Sequence, residues 1–453
     1  MLDGEFEEVE MKRIICFFIA MIGLSSLSAG IAGHQAGSTE IVRWPDGKKA
    51  AISLTYDDGT INQFRVAVPI MDGLGFPATF HIITGEVSGS RYHGTFVGRP
   101  TGDIVRETAG VPTNKDNFFE RASAIGRLGL RGTREFHSRA GELFEDGRLD
   151  EAYKTIDEAY AGVRRGAFKP DAGPGQGVEK RAVLTWDDFR ALADRGYEFS
   201  SHTVTHPRMA VLDEPNLVYE LEKSREDILE HLSPRHTFTV ECPYGTEDER
   251  VVRHALALYP ASRNRMPEPF LEELNRSSKK DPAASAKEYV QWQRGVLTKT
   301  PTTLMRSWVD TVAAHDNMWL VLVFHGVDGV GWEPTTGAEL EEYFRTIKSK
   351  EDRVWVATFG DVTRYMRERM HSTAKTSRTG DAIEVTLRHD LNDDIYDLPL
   401  TLKTNVPAAW SIVEVRQGSR VQRVPAVRDK EGNRVMYQAA PNAGVATLTK
   451  EAK

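Results

Sequence analysis

Met318-Trp319-Leu320-Val321-Leu322-Val323-Phe324 is apolar at every position and ends in His325. An unbroken apolar run of strand length is the pattern of a parallel strand covered on both faces. The neighbouring sequence agrees. Upstream, Thr300-Pro301 is a helix start, followed by Leu304, Trp308 and Val312 at four-residue spacing. Downstream, a second β-prone run, Val354 to Thr358, precedes a helix ending near Met370.

The same alternation extends toward the N-terminus. Ala50 to Tyr56 reads as a strand ending abruptly in Asp57-Asp58-Gly59, with a helical pattern from Val66 to Leu74 closed by Gly75 and a strand from Ala78 to Ile83. Thr185-Trp186-Asp187-Asp188 has capping-box spacing and opens a helix that runs to about Arg195. After Gly196, strand Tyr197 to Ser201 leads into His202. Leu217, Leu221, Ile228 and Leu232 mark one helical face, and Phe238 to Val240 a strand before Pro243-Tyr244-Gly245. Strand–helix alternation predicts one parallel α/β unit over about 40–372. Polar signals recur just after strands, which suits a barrel with its site at the C-terminal rim of the strands.

Two irregular stretches, about 86–180 and 266–299, interrupt this rhythm and are read as insertions over that rim. Either forms a lid or cleft wall, or is a solvated or oligomerising elaboration. Within the first, 142–165 is helical in pattern. Residues 373–380 read as a small polar linker, and 381–453 as a β-rich accessory domain with short β-prone runs and no helix signal. Its Trp410, and Tyr396, could stack on sugar, although core packing is the commoner role.

With 27% charged and 40% apolar residues the chain has ordinary globular composition, and its net charge of -8 argues against a nucleic-acid partner, which needs a basic face. Met11-Lys12-Arg13, the apolar stretch Ile14 to Leu27 and the small residues that follow are the parts of a secretory signal. Residues 1–10 carry five acids and no base, so translation is expected to start at Met11, with a signal ending near 33. The apolar stretch is short of the roughly 20 residues that span a bilayer. A secreted or periplasmic chain without a stable membrane span after cleavage is therefore expected, a membrane anchor being the alternative. Of the two cysteines, Cys16 lies in the signal, which leaves Cys242 as a single thiol and no internal disulfide.

Singly, the polar signals are weak. Asp57-Asp58-Gly59 is also a plain turn composition. His202 and His206 could reach one ion if they share a helical turn, where i and i+4 side chains face the same way. Together Asp58, His202 and His206 make a His-His-carboxylate set suited to a divalent metal, zinc above all. Asp57 would remain free to take a proton, and His325 could protonate a leaving group, though alone it would read as a satisfied strand-end histidine.

Thr55-Tyr56-Asp57-Asp58-Gly59, His202-Thr203-Val204-Thr205-His206, Pro243-Tyr244-Gly245 and Val323-Phe324-His325, in this order, resemble the motifs of the polysaccharide deacetylases, carbohydrate esterase family four. The resemblance implies a distorted (β/α) barrel with fewer than eight strands. It implies Asp57 as general base, Asp58, His202 and His206 as metal ligands, and His325 as general acid. The Tyr244 N–H would help hold the oxyanion, and Val323, a leucine in the family, would border the acetyl methyl. The implied partner is an acetylated oligo- or polysaccharide, first an N-acetylglucosamine glycan, second an O-acetylated xylan. Glu241 stands where the family places the arginine that orients the base, so Arg263 or Arg265 is expected to supply the guanidinium. The family's tryptophan-and-aspartate motif is not recognisable, and Trp292 is the candidate aromatic wall. Loss of the arginine also leaves open a sugar-binding protein without catalysis.

Overall fold

The structure, a computed structural model, describes residues 37–170 and 184–451. The signal segment, Cys16 and the end of the first insertion lie outside the described residues.

One wholly parallel sheet carries the larger unit. Its strands are β1 (Ala50–Asp58), β2 (Thr79–Ile82), β3 (Glu198–Ser201), β4 (Thr239–Val240), β5 (Ala261–Ser262), β6 (Leu271–Leu274), β7 (Tyr289–Gly295), β8 (Met318–Phe324) and β9 (Val354–Val356). They run in the order β5-β4-β3-β2-β1-β8-β7-β6. β8 lies along one edge of β1, from Ala51 to Tyr56. The other edge is shared, by β9 over Ala50–Ile52 and by β2 over Thr55–Asp58. The sheet curls into a half-barrel, the distorted (β/α) barrel expected, with β5 and β6 at its ends. It holds nine strands rather than fewer than eight. Two of them come from 266–299, which is no insertion: β6 and β7 belong to the sheet, and the irregular composition reflects short strands and long turns.

The two-residue period of the strands separates two environments. Ile52, Leu54, Tyr56, Leu320, Leu322 and Phe324 face outward, onto Met71, Trp308 and Phe344 of the helices Val68–Leu74, Thr302–Ala314 and Gly337–Lys348. Ala51, Trp319, Val321 and Val323 face inward with Phe238 and Phe359. Ser53, Thr55 and Asp57 share the inward register of Ala51, so the polar end of β1 points along the barrel interior. Truncating Leu322, fully buried, to alanine would cost about 2–5 kcal/mol.

The helical piece expected at 142–165 is two helices, Thr133–Glu145 and Leu149–Arg164, broken at Gly147, whose φ of 77° no helix interior accepts. With Thr101–Glu107 and Phe118–Ile125 they enclose a small core of Ile104, Phe118, Ile125, Ile156 and Tyr160. The described part of the first insertion is thus a folded helical subdomain.

The second unit comprises 37–41, 373–388 and 402–451 of the described residues. It is all-β, with a four-stranded and a five-stranded antiparallel sheet. The supposed linker is itself a strand, Thr373–Thr379, paired along its length with Ala382–Arg388. Alternating threonine and charged residues conceal it because one face is wet. His389–Thr401, read as part of the accessory domain, belongs to the larger unit. There Tyr396 packs edge-on to Phe238 at 5.8 Å, and Trp410 of the β-unit is likewise buried. Both serve packing. Among the described residues no helix is long and apolar enough to cross a membrane.

Candidate metal and catalytic site

The C-terminal rim gathers the four sequence motifs. Asp57 and Asp58 end β1, His202 follows β3, Tyr244 follows β4 and His325 follows β8. Gln63, in a turn of π-helix, donates to the carbonyls of both Asp57 (2.5 Å) and His325 (2.8 Å) and so fixes the two strand ends together.

Asp58, His202 and His206 present ligand atoms all within 4.8 Å of one another. Asp58 Oδ1 lies 3.7 Å from His202 Nε2 and 3.4 Å from His206 Nε2. They do not share a helical turn. His202–His206 is a loop in which Thr203 (φ 67°) and His206 (φ 57°) are left-handed, as is Asp58 (φ 74°). Such conformations cost non-glycine residues about 1–3 kcal/mol each and gather where function fixes them. The loop is held by the buried Glu220, which accepts the N–H groups of Val204 and Thr205 (2.8 Å each) and the Thr205 hydroxyl (2.6 Å). Arg127, from the helical insertion, pairs with the same carboxylate at 2.6 Å.

The donor chemistry fits a divalent cation. His202 Nδ1 donates to the Glu241 carbonyl (2.8 Å), leaving Nε2 with its lone pair toward Asp58. Burial pushes His202 down to about 4 and His206 to about 3, so both rings are neutral at pH 7. Burial, then the charges of Asp57 and Glu86, push Asp58 up to about 7, as for a carboxylate lacking a counter-cation.

Behind this triad sits an ionic cluster that sequence reading found only in part. Arg263, fully buried, grips Asp57 with Nη1–Oδ1 and Nη2–Oδ2 contacts of 2.7 Å each. It also reaches Thr55 Oγ1 at 3.1 Å and Glu241 Oε1 at 2.7 Å. Burial alone would raise the Asp57 carboxyl, but the Arg263 charge and its hydrogen bonds outweigh it and hold the group well below the usual carboxylate range. Arg265 is exposed and pairs with Glu249, away from Asp57. Of the two expected arginines, Arg263 is the one in place, and Glu241 is its second anchor.

His325 Nε2 is 3.4 Å from Asp57 Oδ2, and burial depresses its ring to about 4. Val323 is buried on the same inward face. Tyr244 is left-handed (φ 67°), with its ring half-exposed, 4.8 Å from that of His206 and under the Arg208 guanidinium at 4.3 Å. A cleft of ≈ 450 Å³ opens over Asp58, His206 and Tyr244, walled by Arg134 and Ser138 of the insertion.

Trp292 does not line this site. It occupies an outward position of β7 and packs in the helix-covered core, because Gln291 and Gln293 take the inward register and donate to the Arg263 carbonyl. The aromatic at the rim is Trp332, 55% exposed and edge-on to His325 at 4.6 Å. Its only sequence signal was its place in the loop after His325. His81, buried on β2 opposite Asp57 with neither ring nitrogen partnered, gave no signal at all.

Residues 167–259 match the family model described as polysaccharide deacetylase. This segment belongs to the polysaccharide deacetylases. The deacetylase segment carries His202, His206 and Tyr244, and the fold brings Asp57, Asp58 and His325 to it from outside. A gellan lyase from Bacillus sp is 26% identical over 283 residues, 58% of this chain and 11% of that protein. The chain therefore spans about a tenth of that relative's length. Two solved structures are similar at low identity. One is a putative polysaccharide deacetylase from Mycobacterium smegmatis (14% identical, 75% of this chain and 98% of that one, TM-score 0.36). The other is the Xyl-CE4 domain of a multidomain xylanase from the hindgut metagenome of Trinervitermes trinervoides (13%, 70% and 89%, TM-score 0.31).

Proposed function

We propose that this protein hydrolyses acetyl groups from a carbohydrate, in the first place N-acetyl groups of an N-acetylglucosamine-containing glycan. The observation that carries the reading is the Asp58–His202–His206 triad lying beside an Asp57 held by Arg263. A divalent ion held by the triad, zinc in this reading, would act as a Lewis acid and lower the pKa of water. Asp57 Oδ2 takes the water proton as the acetyl carbonyl is attacked, and the Tyr244 N–H donates to the developing oxyanion. His325 Nε2, 3.4 Å from Asp57 Oδ2, relays a proton to the departing nitrogen or oxygen. Burial makes its imidazolium more acidic than a free one, so it gives the proton up more readily. The exposed rings of Trp332 and Tyr244 offer apolar faces for a sugar.

The test is acetate release from a panel of acetylated glycans, with and without chelator. Release from N-acetylglucosamine oligomers that stops on chelation is expected. Release from acetylated xylan alone would make the protein an O-acetyl esterase. A sugar-binding protein without catalysis is the second reading, favoured by the engagement of both Asp57 oxygens by Arg263. Binding without acetate from any glycan would establish it. Secretion belongs to the same proposal, and a mature N-terminus near residue 34 in the extracellular or periplasmic fraction is its test.

A further inference from the structure

Arg276 lies just past β6 on the catalytic rim. Its side chain runs by Gly295, where a Cβ would meet Cδ at 3.6 Å, and ends against Gly245, where a Cβ would meet Nη2 at 2.8 Å. Glycine at 245 thus leaves room for the guanidinium beside the Tyr244 amide. The charge is near enough to His325 and Glu241 to lower the proton affinity of both. Arg276 nevertheless has no carboxylate within ion-pair distance and no side-chain hydrogen bond among the described residues. Its neighbour Arg294 also lacks an acid, although it donates hydrogen bonds to backbone carbonyls. Nη1 of Arg294 donates to the carbonyls of Arg276 (3.3 Å) and Gln293 (3.1 Å), and its guanidinium covers Trp292 at 4.6 Å, with no acid beside it. Elsewhere in this acidic chain buried and half-buried arginines such as Arg127, Arg208, Arg263 and Arg367 are ion-paired, Arg225 being an exception. A guanidinium held at the rim without a carboxylate partner favours an arriving anion.

We propose that Arg276 is an anion subsite next to the reacting centre that takes a carboxylate of the glycan, so that the preferred substrate is an acetylated, uronate-bearing saccharide. A planar guanidinium fork matches a carboxylate in shape and charge. The reaction assigned to the neighbouring sugar rests on the deacetylase reading; the subsite itself does not.

The experiment compares an acetylated uronate oligosaccharide with its carboxyl-reduced, neutral counterpart. The wild-type protein is expected to favour the charged form about tenfold in kcat/KM, mostly through KM, as one charge-assisted contact allows. In Arg276→Gln the ratio between the two substrates falls toward one, and Arg276→Lys keeps part of it. A residue that merely offsets Glu241 would depress both substrates alike and leave the ratio intact, which overturns the proposal, as does a wild type without preference. If neither substrate releases acetate, the deacetylase reading fails. Calorimetric titration with the same two saccharides then decides the subsite: tighter binding of the charged form, lost in Arg276→Gln, supports it, and equal binding overturns it.

Discussion

Asp57 and Asp58 are neighbours with opposite electrostatics. Arg263 holds Asp57 ionised, whereas burial and surrounding acids keep Asp58 protonatable up to about pH 7 until a cation arrives. Two substitutions separate their roles. Asp58→Ala should lose bound metal, read by elemental analysis after dialysis, while Asp57→Ala should keep it and turn over at least 100-fold more slowly, the loss of a general base. Equal metal content and full activity in both would remove the assignment. The arginines separate as cleanly. Arg263→Ala leaves Asp57 and Glu241 charged and buried without a cation, a change of about 3–5 kcal/mol in stability on top of lost activity. Arg265→Ala removes an exposed pair worth at most about 1 kcal/mol. Chemical denaturation and acetate release on the two variants check this; similar effects from both would contradict the structure.

At the scale of elements, the triad is only as good as the loop that carries two of its members. The left-handed residues Thr203 and His206 are held down by Glu220, and Glu220 in turn by Arg127 of the insertion. Glu220→Ala should therefore weaken metal affinity roughly 10–100-fold, the usual effect of losing an outer-shell anchor. Competition with a chromophoric chelator measures it, and unchanged affinity would show that the loop holds itself. Elements of this kind set the limit of what was legible in the sequence. Strand Met318–Phe324 and the Thr185 capping box were plain because an apolar run and a cap are local signals. β6 and β7 read as an insertion in the sequence because short strands with inward glutamines lack periodicity. The left-handed backbone at Thr203 was invisible because the contacts that hold it come from Glu220 and Arg127, far away in sequence. Arg263 was legible only as one of two arginines: nothing local distinguishes the guanidinium that turns inward from the one that does not.

For the whole molecule, buried histidines make a defined contribution to the response to acid. His236 Nδ1 accepts the Phe199 N–H at 3.0 Å, and His137 Nε2 accepts the Arg208 N–H at 3.1 Å. Burial pushes each down to about 4. In the unfolded chain both return to about 6.5. Below that value the unfolded state binds protons that the folded state refuses. Their contribution to stability is therefore whole above pH 6.5 and falls as pH drops toward 4, by up to about 1.4 kcal/mol per pH unit for each ring. Of the metal ligands, His202 and His206 add to this whereas Asp58, pushed up to about 7, opposes it. Metal would compete with all three for protons, so the measurement is made on chelator-treated protein. The buried carboxyls Glu247, Glu273 and Glu368, pushed up by burial to about 7, 8 and 8, act with the opposite sign, so the ring is read by difference. His236→Gln, which has nothing to protonate, should lower the Tm at pH 7 and lose less Tm than the wild type between pH 6.5 and 4. A pH dependence of Tm unaltered by His236→Gln would mean that this ring takes up its proton without disturbing the bond that holds it.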